Sequence, residues 1–110
     1  MPVAIISPGS NVCIELNHEI HFGISGIGEV AKFNTSGAFK PTSNNSYDLG
    51  SSSNKWRNIF TNDLNLSNKG STNSVDNTWG DYTIQEGESD LFLINNRNGK
   101  KYKFNLTEVL

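Results

Sequence analysis

Residues 91–106 read LFLINNRNGKKYKFNL, and this stretch decides the fold. Asn98 and Gly99 both tolerate the positive φ that a type I′ hairpin turn requires, and apolar residues alternate with polar ones on either side of them. The stretch therefore predicts two antiparallel strands, Leu91–Asn96 and Lys101–Leu106, joined by a tight turn.

This hairpin carries apolar side chains on both of its faces. Centring the turn on Asn98-Gly99 sets Leu93 opposite Phe104, so Leu91 and Leu93 share one face. Phe92 and Ile94 point to the other face. Because a lone hairpin cannot bury both faces, one must pack within the subunit and the other on a neighbour. We expect Phe92 and Ile94 to lie at an oligomer interface.

Similar short alternations recur along the chain, separated by segments rich in Gly, Asn and Ser, and no segment shows sustained helical periodicity. The predicted strands lie at residues 3–6, 12–16, 20–24, 29–34, 64–66 and 82–84. The sequence therefore predicts an all-β fold of short antiparallel strands and hairpins.

The composition gives a physical reason to expect self-association. The chain has 110 residues, of which 35% are hydrophobic and 18% are charged. The apolar share is low for a globular domain, whereas a disordered chain normally carries more charge. Contacts between subunits would supply the apolar surface that a single chain lacks.

Charge and targeting signals exclude several classes of function. The net charge of −2 comes without a basic patch, so we expect no nucleic-acid partner. The lysines at 100, 101 and 103 are interpreted as a solvated strand face, with phosphate binding as the alternative. The sequence has no run of about 18 apolar residues, so we expect no membrane insertion, and residues 1–6 do not resemble a signal peptide. The single cysteine, Cys13, excludes an intrachain disulfide and fits synthesis in a reducing cytosol.

A second distinctive stretch spans residues 46–60. Its small polar residues 50–54 predict a loop, and large apolar side chains stand on both sides of that loop. We expect the loop to fold back so that the flanking side chains meet. The predicted structural anchor consists of Tyr47, Leu49, Trp56, Ile59 and Phe60, together with Trp79, which opens the last segment.

Residues 47–60, YDLGSSSNKWRNIF, followed by TNDLNLSN, resemble a recurring module of bacteriophage tail fibres and related virion proteins. Residues 78–110 resemble the closing segment of fibre-like structural proteins from marine phages. The resemblance covers residues 37–110 and divides the chain into an N-terminal β segment (1–36), an anchor module with a polar linker (37–77) and a C-terminal hairpin module (78–110).

The resemblance implies an intertwined or prism-like homotrimer, built into a virion after synthesis in the host cytoplasm. Such modules often precede an intramolecular chaperone domain, which releases itself at a serine. That segment is absent from this sequence, so self-processing is not expected. The implied partners are other copies of the chain, other virion proteins and, as a further possibility, a host surface glycan.

His18 and His21 are the weak candidates for a metal site. On a strand, side chains three residues apart point to opposite faces, so these histidines do not converge within one chain. In a trimer, one of them could form a ring on the axis and hold a metal ion, as closely spaced histidines do in some phage fibres. The alternative is one turn histidine and one strand-face histidine, and no cofactor is expected.

Carboxylates and aromatic residues raise two further possibilities. Glu86, Glu88 and Asp90 lie together in a probable turn, and a glycan-cleaving enzyme would need a carboxylate pair in a groove. Trp79 or Tyr82 could stack on a sugar ring, although both also fit the core of a small β domain.

The sequence therefore predicts a non-enzymatic virion protein, a short tail fibre or fibre tip. A capsid decoration protein or head fibre is the alternative, and a glycan depolymerase is a distant one.

Overall fold

The computed structural model describes residues 19–110 and divides the chain into two compact units, the first ending at Trp56 and the second spanning Arg57–Leu110. The described residues contain no helix and form two antiparallel sheets, so the predicted all-β class is confirmed. No helix among them is long and apolar enough to cross a membrane. The strands predicted at 3–6 and 12–16 lie outside the described residues. The predicted division into three segments places its boundaries after residues 36 and 77 rather than after Trp56, and it stays a prediction.

The first unit holds a three-stranded sheet in the order β1-β2-β3. The strands are β1 (Ile20–Ile24), β2 (Gly28–Phe33) and β3 (Phe39–Pro41). Both β1 and β2 fall where alternation predicts them, and a register shift follows Phe22. The short strand β3 was not predicted, but its proline ends an edge strand, a position where a missing backbone N–H is tolerated.

The second unit holds a four-stranded meander in the order β4-β5-β6-β7. The strands are β4 (Leu64–Ser67), β5 (Asp81–Glu86), β6 (Leu91–Asn95) and β7 (Lys101–Lys103). The polar segment between β4 and β5 is held by local hydrogen bonds. The Asn73 side chain accepts from the backbone N–H groups of Val75 and Asp76 at 2.8 and 2.9 Å.

The predicted type I′ turn between β6 and β7 is wrong. The Asn95 N–H donates to the Lys100 carbonyl, so the loop has four residues, and Gly99 has a positive φ of 76° whereas Asn98 does not. The Asn95 side chain accepts from the Arg97 N–H at 3.0 Å, which favours the longer turn. Leu93 consequently pairs with Tyr102 rather than with Phe104.

No apolar side chain is buried among residues 19–110, and Thr83, with 7% of its surface exposed, is the only buried residue among them. Each strand contacts only the strands beside it in its own sheet. Neither sheet therefore closes a hydrophobic core with strands of its own unit.

Candidate functional site

The strand register of the second unit collects apolar side chains on one face of the sheet. Leu64 pairs with Ile84, Ile84 pairs with Leu93, and Leu93 pairs with Tyr102. These four side chains form one row across the sheet. Because side chains two residues apart share a face, Leu66 and Tyr82 join them. The leucine–tyrosine face is defined by Leu64, Leu66, Tyr82, Ile84, Leu93 and Tyr102. It spans all four strands.

The opposite face of this sheet is largely polar. Thr83 Oγ1 donates to Asn65 Oδ1 at 2.7 Å and accepts from Asn96 Nδ2 at 3.0 Å. Ile94 pairs with Thr83 and with Lys101 on this face. A satisfied polar network of this kind is compatible with contact with water.

The two residues predicted at an oligomer interface, Phe92 and Ile94, lie on this polar face. The shift of two residues in the hairpin register keeps them on the side opposite Leu93, because side chains alternate with a period of two. Phe92 pairs with Gln85 and Lys103, and its ring lies against Gly87. No strand of the second unit covers the face of Leu91 and Leu93, and their packing within the subunit or its own hairpin layer stays a prediction.

The first unit also presents an apolar face. The rings of Phe22, Phe33 and Phe39 form a cluster with centroid separations of 4.9 to 6.3 Å, including one edge-to-face pair. All three rings are exposed, at 38% or more of their surface. We call this trio the phenylalanine face. The sequence analysis missed it, although the alternation in 20–24 and 29–34 contained the signal for two of its members.

A charged network lies on the opposite face of this sheet, because His21 and Lys32 alternate with Phe22 and Phe33 along β1 and β2. His21 Nδ1 donates to Glu29, His21 Nε2 lies 3.6 Å from Glu19, and Lys32 Nζ lies 3.4 Å from Glu19. The hydrogen bond from His21, followed by that from Thr42, holds the pKa of the Glu29 carboxyl below its usual value. These contacts link the strands of the first sheet.

The same contacts bear on the candidate metal site. The two ring nitrogens of His21 face different carboxylates, so these side chains do not converge on one point. Among residues 19–110 no group of three His, Cys, Asp or Glu side chains could hold a metal ion. His18 lies outside the described residues, so a histidine ring on an oligomer axis stays untested.

Five of the six predicted anchor residues, those other than Trp79, are exposed, and their role as a structural anchor stays a prediction. Tyr47 and Leu49 line an open groove of about 350 Å³ with residues of β2 and β3. Trp56 lies against Gly50 but is 66% exposed, and Phe60 is 92% exposed.

The loop within the anchor does fold back. The Ser51 N–H donates to the Asn54 carbonyl at 3.0 Å, and the Asn54 N–H donates to Ser51 Oγ at 3.0 Å. Gly50 has a positive φ of 86°, and the Trp56 ring approaches it closely. This turn brings Trp56 back towards the residue that follows Leu49.

Trp79, a further anchor residue and a candidate for sugar stacking, is half-buried beneath a cation. The Arg97 guanidinium lies 3.7 Å from the Trp79 ring centroid and donates to the Trp79 carbonyl at 3.0 Å. An open pocket of about 330 Å³ beside them includes Tyr82, Asn95 and Asn98 in its lining. Because Arg97 covers one ring face, the pair fastens the β6–β7 turn to the start of β5.

The predicted acidic cluster lies at the turn between β5 and β6. Glu86 ends β5, and Glu86 and Glu88 are both exposed to solvent. The Gly87 N–H donates to the Asp90 carbonyl, and the Asp90 carboxylate lies 4.0 Å from Lys103 Nζ. None of these three carboxylates lines either of the two open cavities described above, as a glycan-cleaving pair would require.

No family model, no curated protein and no solved structure matches this chain.

Proposed function

We propose that the chain is a non-enzymatic structural protein of a bacteriophage virion, a short trimeric tail fibre or fibre-tip module that serves virion assembly or host attachment. Its proposed partners are other copies of the chain, other virion proteins and a host surface glycan. The resemblance of residues 37–110 to fibre modules supports the place in a virion, and the open sheets support the self-association.

One observation carries the structural role: no apolar side chain is buried among residues 19–110, although every strand is hydrogen-bonded to its neighbours in the sheet. Burial of apolar surface is the main force that stabilises folded chains. A chain that forms sheets without burying their apolar faces is suited to fold together with copies of itself. A fibre built from intertwined subunits has this property.

The exposed acidic turn gives no support to a depolymerase. Glu86 precedes a tight turn and Glu88 lies within it, and solvated carboxylates are ordinary there. Release of reducing sugar from host envelope, lost in Glu86→Gln or Glu88→Gln, would overturn the non-enzymatic role.

Gold-labelled antibody against the purified chain, imaged on intact virions by electron microscopy, tests the proposed place in the particle. Label at the tail tip or on tail fibres is the expected result. Label on the head surface would replace the tail fibre by a head fibre or decoration protein. Absence of the chain from purified virions would refute a structural virion role altogether.

A further inference from the structure

We propose that copies of this chain meet through the leucine–tyrosine face and the phenylalanine face, so that the face carrying Phe92 and Ile94 is left to solvent. This inference rests on the self-association in the proposed function and names the surfaces that perform it. It reverses the choice of interface that the hairpin sequence favours.

The distribution of charge separates the two faces of the second sheet. Three charged side chains share the face of Thr83: Asp81, Lys101 and Lys103. Lys101 lies in the same row of paired residues as Thr83, whereas Asp81 lies two residues from Thr83 and Lys103 two residues from Lys101. Among the strand residues that point to the leucine–tyrosine side of this sheet, the charged one is Glu86, which ends β5 beside an exposed turn. Burying the leucine–tyrosine face therefore costs little desolvation of charge, whereas burying the other face would enclose two lysines.

Hydrogen bonding points the same way. The Thr83 face is already tied to Asn65 and Asn96 at 2.7 and 3.0 Å. On the leucine–tyrosine face, the polar Tyr82 hydroxyl accepts from Asn95 Nδ2 at 3.2 Å. That bond provides a partner for the Tyr82 hydroxyl, so a partner surface can cover this group without leaving it unsatisfied.

The area on offer fits a second copy. Three residues of the leucine–tyrosine face (Leu64, Leu66 and Tyr102) and the three of the phenylalanine face are each 38% to 54% exposed. At roughly 180 Å² for a fully exposed large side chain, each set of three presents about 250 Å². A stable interface buries about 800 Å² per partner, so each set supplies about a third of such an interface.

The partner that covers these faces is another copy of this chain, because both units have an apolar face without cover. Each of the two units presents its own apolar face, and each face needs cover of matching size. Another copy brings both faces in the same order along the chain, whereas an unrelated partner would have to match each separately. Most homo-oligomers have closed symmetry, and in a trimer each copy meets the next around a three-fold axis.

The test compares charge substitutions on the two faces of one sheet. Leu66 lies on edge strand β4 and is 49% exposed, so an aspartate there stays hydrated in a single chain but is buried at the proposed contact. We expect Leu66→Asp to raise the dissociation concentration at least 100-fold in sedimentation equilibrium, with strand content unchanged by circular dichroism above that concentration. Phe92→Asp, the matched control on the opposite face, should dissociate at the same concentration as the native chain.

The phenylalanine face has its own arm of the test. Phe39→Asp should weaken the assembly in the same way, whereas Lys40→Asp, the neighbouring residue on the same strand, should leave the mass unchanged. Dissociation caused by Phe92→Asp, or unchanged assembly in both Leu66→Asp and Phe39→Asp, would overturn this assignment of faces. A native chain that is itself a monomer would instead refute the self-association on which the assignment rests.

Labelling keeps the proposal testable if an aspartate variant fails to fold. In a Cys13→Ser background, Leu66→Cys should react with maleimide at least 10-fold more slowly than Lys101→Cys, because another copy covers the first position and not the second. Dilution below the dissociation concentration should remove the difference. Equal rates in the assembled protein would contradict the proposal.

Discussion

Replacing Thr83 by valine removes one hydroxyl from the only buried side chain among residues 19–110, and the effect can be worked out from its contacts. The hydroxyl donates to Asn65 Oδ1 at 2.7 Å and accepts from Asn96 Nδ2 at 3.0 Å. Each such bond contributes about 1 kcal/mol to the free energy of unfolding. The Asn96 amide also donates to Asp81 Oδ1 at 3.0 Å, so it keeps one partner.

The expected loss for Thr83→Val is therefore about 1–2 kcal/mol, and not more, because water reaches the exposed Asn65 and Asn96 and replaces part of what is lost. For a chain of this size the melting temperature should fall by about 5–10 °C. Calorimetry or circular dichroism at a fixed protein concentration measures it, since assembly makes the midpoint depend on concentration.

A double-mutant cycle with Asn65→Ala sharpens this test. If the Thr83–Asn65 bond forms as described, the double variant should lose less stability than the sum of the two single losses. Thr83→Ser, which keeps the hydroxyl, should preserve the coupling to Asn65. Equal or greater stability of Thr83→Val would refute the reasoning, because it would mean that this face is covered by apolar surface rather than by water.

Three further substitutions test local features of the first unit. Gly50→Ala should cost roughly 1–2 kcal/mol, because Gly50 has a φ of 86° and a Cβ there would lie 3.3 Å from the Asn54 carbonyl oxygen; an unchanged melting temperature would contradict the turn. The lowered pKa of Glu29 stabilises the fold above the ordinary carboxyl pKa of 4.5, and this stabilisation is lost as pH falls through the lowered value. Glu29→Gln should therefore flatten the decline of melting temperature in acid. An unaltered pH profile would argue against the His21 contact. Trp56→Ala should cost no more than about 1 kcal/mol, since the indole is 66% exposed, and a loss of about 3–5 kcal/mol would show that another copy covers it.

The sequence predicted the strands well because alternation is a local property. The alternations at 20–24, 64–66 and 82–84 predicted β1, β4 and β5, and Asn98-Gly99 marked the last hairpin. The turn type was missed because the Asn95 side chain accepts from the Arg97 N–H and favours a four-residue loop. Competition of this kind between side chain and backbone is not visible in a dipeptide pattern.

The interaction faces were harder to predict from the sequence. Period-two alternation correctly separated Phe92 from Leu93, but it does not say which face meets a partner. That choice depends on the neighbouring strands, where Leu64 and Ile84 extend the Leu93 face and Thr83 makes the Phe92 face polar. The exposure of the anchor side chains was hard to predict for a related reason, because large side chains near a loop are buried only when enough other apolar groups surround them.

The mass of the native chain in solution tests the central claim most directly. Light scattering after size exclusion, at micromolar concentration, should give about 36 kDa, which is three times the 12.1 kDa of one chain. Dilution should lower this mass together with strand content, because the sheets have no core without their neighbours. A folded, cooperatively melting protein of 12.1 kDa at the same concentration would contradict the account.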